Sequence, residues 1–183
     1  MTVPAAEDVL GFWFAEGMDK RWFKADEAFD QEVRRALLPL HRQAAAGRLD
    51  RWQQSARGAL ALVILLDQVP RNLIRGHPRA FATDAEALAV TKSALAKGFD
   101  RELRQVERMF LYLPLEHCED LADQELCVQL TSALDENPDW CDYARRHRDI
   151  VARFGRFPHR NVVLGRATTP EESTFLKEPG SSF

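Results

Sequence analysis

The sequence is short of cysteine, and the three it has, Cys118, Cys127 and Cys141, are odd in number and form no C-x-x-C pair. That argues against a disulfide framework and fits reduced thiols in a cytosol. Long apolar runs are also missing. The longest, Ala59 to Leu66, is far too short to span a bilayer, and Met1 to Asp8 carry no positive n-region. The expectation is therefore a cytoplasmic protein with no membrane partner. An excess of basic charge is absent too: the net charge is −3, which gives no reason to expect nucleic acid as a partner. No repeat, low-complexity stretch or Pro/Gly/Ser linker divides the 183 residues, so one domain over 1–183 is expected, with a tail frayed from Glu178 to Phe183. The sequence indicates no oligomeric state.

Strand signal is almost lacking, and helical periodicity takes its place. Ala5 to Glu16 reads as a helix stopped by Gly17 in a left-handed cap. Asp26 caps a second helix with Phe29, Val33, Ala36, Leu37 and Leu40 on one stripe, kinked at Pro39. Ala59 to Leu66 is apolar on every side and is expected to be the most buried helix. Thr83 or Asp84 opens a helix ending at Gly98, and Asp100 opens another that Pro114 stops. Leu121 to Leu134 follows. Asn137-Pro138 starts a helix closed by Gly155, and Thr169-Pro170-Glu171-Glu172 is a capping box for a short last helix. More than half the residues should be α-helical. The fold class expected is all-α, built of antiparallel helix pairs.

Charge is segregated along the chain. From Met109 to Ala144 no lysine or arginine occurs, whereas Arg145 to Arg166 carries seven arginines against the single acid Asp149. Adjacent blocks of opposite sign can pair within the fold, or they can leave guanidinium groups free to hold a carboxylate or phosphate.

Three polar segments stand at expected helix ends. In Leu65-Leu66-Asp67-Gln68-Val69-Pro70-Arg71-Asn72, a carboxylate is carried by the most apolar part of the chain, so it needs a definite partner. Tyr112-Leu113-Pro114-Leu115-Glu116-His117-Cys118-Glu119-Asp120 sets an imidazole among carboxylates. In Arg153-Phe154-Gly155-Arg156-Phe157-Pro158-His159-Arg160-Asn161, Gly155 and Pro158 prevent the helix from continuing, so its arginines are not a solvated helix face. With Phe12-Trp13-Phe14 and Trp22-Phe23, these strings resemble the bacterial family called domain of unknown function 924, from Val9 to Phe175. Leu115 and Cys118 depart from the Phe and Ser of the family pattern. The resemblance implies a compact fold akin to tetratricopeptide-repeat superhelices and implies no activity.

The residues support two kinds of function. In the first, a binding module grips an acidic small molecule or peptide carboxylate through Arg71, Arg156 and Arg160, with Asp67, Gln68, Asn72 and Asn161 orienting the clamp. In the second, the same pocket is an acid–base enzyme, a hydrolase or isomerase, with Glu116 and His117 as the pair and His159 polarising an anionic substrate. No cofactor fingerprint occurs. No metal is expected, because ligand residue types are present without ligand spacing. Cys118, set among acids, is expected to be a poor nucleophile. His147 reads as a core histidine, and His41 and His77 as surface residues.

Overall fold

A computed structural model describes residues 4–182, with side chains from Ala6 onward. Helix occupies 69% of the residues, and no strand occurs among those described. The core is organised around the apolar segment. Helix α3, Ala56–Val63, continues through a π-helical turn, Ile64–Gln68, into α4, Val69–Leu73. Every side chain from Ala59 to Pro70 is buried.

The π turn follows from Pro70. A proline has no N–H to give to the carbonyl four residues back, and its ring crowds that carbonyl. Here the Val69 N–H reaches back five residues to the Ile64 carbonyl. Two carbonyls then find side-chain partners: Leu66 O accepts the Thr83 hydroxyl, and Leu65 O lies 2.8 Å from His41 Nδ1. His41 is thus half-buried and holds the central helix, rather than lying free on the surface as the sequence suggests. The widened turn carries Asp67.

The other helices wrap this axis. Helix α1 (Pro4–Trp13) and α5 (Asp84–Ala96) pack on α3, and α2 (Glu27–Ala45) packs on α4. Helices α6 (Gln105–His117), α7 (Leu121–Thr131) and α8 (Asp139–Phe154) follow in series, each against the one before. The short α9, Pro170–Phe175, closes the described chain, and Ser181 in the tail donates to the Leu176 carbonyl. Trp13, Phe29, Trp52 and Phe110 are buried in one continuous core.

The caps form as their residue types dictate. Asp26 accepts from the N–H groups of Ala28 and Phe29, and Thr169 and Glu172 make the reciprocal capping box. Gly155 takes φ 69°, the left-handed conformation that turns the chain off α8. Two helix ends differ from the sequence reading. Helix α6 starts at Gln105, after a 3-10 turn over Phe99–Glu102, and runs through Pro114 to His117. Residues Met109 to Glu116 are buried without a break, and that packing outweighs the one backbone hydrogen bond Pro114 cannot make. Glu116 and His117 therefore sit in the last turn of α6, not at the start of a new helix. Helix α2 runs through Pro39 to Ala45, as the stripe ending at Gly47 implies.

Candidate functional site

Asp67 is the centre of the arrangement. Its side chain has 0% exposure, and it is fully engaged. Its Oδ1 and Oδ2 lie 2.8 and 3.0 Å from His117 Nδ1, and Gln68 Nε2 donates to Oδ2 at 2.7 Å. Arg71, one helical turn on, places Nη1 3.0 Å from Oδ1. Burial opposes ionisation, but Arg71, His117 and Gln68 together hold the carboxyl well below the usual carboxylate range.

An ionised carboxylate only accepts hydrogen bonds, so neutral His117 carries its proton on Nδ1 and its lone pair on Nε2. The side chain is 15% exposed, and its hydrogen bonds to Asp67 are made through Nδ1, not Nε2. Burial, with the charges of Arg71 and Arg160, lowers the imidazole pKa against the opposing pull of Asp67. The ring is neutral near pH 7.

Glu116 faces the other way, toward α8. Its Oε1 lies 3.3 Å from His147 Nδ1, and that nitrogen donates to the Tyr143 carbonyl at 2.9 Å. Burial and the charge of Asp67 push Glu116 up to about 8, so it is protonated at neutral pH. Burial pushes His147 down to about 3. The two form a neutral buried pair behind the His117 ring, whose centroid is 6.3 Å from that of His147.

Arg160 arrives from the segment after α8, in a 3-10 turn at Pro158–Arg160. It is buried, and its guanidinium lies over the rings of Phe157 and Phe81, 4.5 and 4.8 Å from their centroids. Its Nη1 donates to the His117 carbonyl at 2.9 Å. The nearest carboxylate oxygen, of Asp84, is 3.9 Å away, and Nε is buried with no acceptor. Burial and the neighbouring Arg71 push its pKa down to about 10.

The neighbouring arginines Arg71, Arg156 and Arg166 are occupied. Arg71 donates to both oxygens of Asp84, at 2.8 and 2.9 Å. Arg156 donates to both oxygens of Glu172, at 2.6 and 2.9 Å, and Asn161 donates to Glu172 at 3.1 Å. Arg166 grips Glu119 at 2.6 and 2.9 Å, and Glu119 also accepts from the Phe157 N–H at 2.8 Å. Asn72 donates to Asp30 on α2. The structure thus brings Asp67, Gln68, Arg71, His117 and Arg160 together, with Glu116 behind them. It places Asn72, Arg156 and Asn161 in separate hydrogen-bonded groups. His159 stands beside Phe157 with ring centroids 5.7 Å apart, and burial and Arg160 push it down to about 4.

Asp84, Phe81 and Phe157 are the site residues sequence reasoning did not assign. Asp84 was legible only as a helix start, since nothing local ties it to Arg71, thirteen positions earlier. Burial and nearby acids push the Cys118 thiol up to about 11, which disfavours the thiolate form. Among the described residues, no group of three or more His, Cys, Asp and Glu side chains is placed to hold a metal. A cavity of about 330 Å³ lies between α2, α3 and α5, lined by residues such as Ala44, Leu62, Glu86 and Val90, away from His117 and Arg160.

Comparison with known proteins agrees with the all-helical reading. The sequence model of the family described as "Bacterial protein of unknown function (DUF924)" matches residues 9–180. A solved structure of a protein of unknown function from Agrobacterium tumefaciens is 42% identical, with a TM-score of 0.89, covering 94% of this chain and 96% of that one. No match is found among curated proteins.

Proposed function

Because the chain belongs to the DUF924 family of bacterial proteins of unknown function, we propose its role from its own geometry: it binds an acidic small molecule or a peptide carboxylate at Arg160. One observation carries this reading. Arg71, Arg156 and Arg166 each have a carboxylate partner at hydrogen-bond distance, whereas buried Arg160 has only a backbone carbonyl and an acid 3.9 Å away. What Arg160 lacks is hydrogen-bond acceptors, and a buried guanidinium is costly while its donors go unused. A carboxylate ligand supplies them, and the edge formed by Nε and Nη2 is the donor pair that a carboxylate takes. His117, whose backbone carbonyl anchors Arg160, also carries the ring nitrogen Nε2.

Thermal melting with benzoate and with sulfate tests this. Ligand binding to the native state raises the midpoint with concentration. The wild type should respond and Arg160→Met should not. A wild type unmoved by either anion, or a variant that responds equally, contradicts the reading.

The His117–Asp67 pair favours a second reading, an acid–base enzyme acting on an anionic substrate. A carboxylate on Nδ1 fixes the tautomer that presents Nε2 as a general base. On that reading His117→Asn abolishes turnover of a substrate whose binding it leaves intact. Loss of binding instead would contradict it.

A further inference from the structure

The buried charges around His117 come from every element packed on it. Asp67 and Arg71 approach from the central helix, and Arg160 from the segment after α8. Asp84 on α5 pairs with Arg71 and is the acid nearest Arg160. Glu116, His147 and His159 are uncharged near neutral pH. The two carboxylates therefore balance the two guanidinium groups before any ligand arrives. An added anion would leave the cluster with a net negative charge at low dielectric, which is costly. The one group placed to cancel it is His117. Its Nδ1 is already fixed on a carboxylate, which leaves the Nε2 lone pair as the ring's one remaining proton acceptor.

Resting on the anion site proposed above, we infer that a planar carboxylate enters this site together with one proton, taken up by His117 Nε2, so that guanidinium and imidazolium hold the same ligand. The proton passes from solvent to Nε2, and no bond other than N–H is made or broken. Once the ring is an imidazolium, both of its nitrogens donate: Nδ1–H to Asp67 and Nε2–H to the ligand. The Phe81 and Phe157 rings lie against the guanidinium. Flat apolar faces of that kind suit a carboxylate on an unsaturated or aromatic body better than a tetrahedral, strongly hydrated oxyanion.

The test is calorimetric titration of the full chain with benzoate and with sulfate, between about pH 8 and pH 6, where histidine protonation is the variable. The benzoate affinity should rise about fivefold per pH unit as pH falls, and heats in two buffers of different ionisation enthalpy should report uptake of nearly one proton. His117→Asn should bind benzoate at the upper pH and lose the pH dependence; His117→Gln serves if the first variant does not fold. Benzoate binding that is independent of pH without proton uptake, or pH dependence that survives in the variant, overturns the inference. Sulfate binding more tightly than benzoate throughout overturns the planar-carboxylate class. If neither anion binds at any pH, the anion site itself fails, an outcome distinct from binding without a proton.

Discussion

Two polar clusters meet at the segment following α8, and they are built from the same residue types to different ends. In the outer one, Glu119 with Arg166 and Glu172 with Arg156 are bidentate pairs, and leftover acceptor capacity goes to the Phe157 and Thr169 N–H groups and to Asn161. Nothing there awaits a partner, and the network fastens the C-terminal segment onto the helical core. In the inner cluster Asp67 is saturated, yet Arg160 Nε and His117 Nε2 are not used within it. The difference teaches that richness in arginine does not by itself mark a site: the outer arginines are spent on carboxylates, whereas the inner cluster keeps one donor, Arg160 Nε, and one acceptor, His117 Nε2, unspent.

The comparison can be broken at several points. The largest effect is expected at Asp67. Asp67→Ala leaves the His117 ring and Gln68 without their acceptor and should cost about 3–5 kcal/mol, read from denaturant midpoints at neutral pH. Because its folded pKa is depressed, Asp67 contributes fully above its unfolded value of about 4, and that contribution is lost as pH falls through the folded pKa. The cost of Asp67→Ala should therefore shrink in acid.

Glu116→Gln goes the opposite way. Wild-type Glu116 must gain a proton on folding between its unfolded pKa, near 4.5, and its folded value of about 8. Native stability therefore declines as pH rises through that window. The variant should be more stable at pH 7 by about 3 kcal/mol, with the gain vanishing toward pH 4.5. An equal gain at both pH values would mean Glu116 is ionised in the fold. A smaller effect is expected at Glu119, which is partly solvent-exposed: Glu119→Ala should cost about 1–2 kcal/mol by freeing Arg166 and the Phe157 N–H. A cost near zero would show the outer network to be ornamental.

Much of the fold was legible because its signals are local. The capping boxes, the glycine after α8 and the apolar stripes act within a few residues, and the structure uses them as written. The failure was at Pro114, where tertiary burial holds a helix that local propensity would end. The π turn was not legible either, since it requires Thr83 and His41, on distant segments, to donate to the freed carbonyls. For the site, Asp67 announced itself as an acid in an apolar helix, and the arginines after Gly155 as charges off any helix face. Their assignment to partners was beyond the sequence. Arg71 to Asp84, Arg156 to Glu172 and Arg166 to Glu119 are pairings that only the packing of α5, α7 and α9 decides.

The most direct measurement compares two arginines that the sequence treats alike. Arg160→Met and Arg166→Met each remove one guanidinium while keeping an apolar stem, and their unfolding free energies can be read against the wild type in the same titration. Arg166 compensates Glu119 and should cost about 2 kcal/mol when lost, whereas Arg160 should cost less than about 1 kcal/mol, because no carboxylate depends on it. The reverse order, with Arg160→Met the more damaging, would make Arg160 a structural ion pair and contradict the assignment of the inner cluster to a ligand.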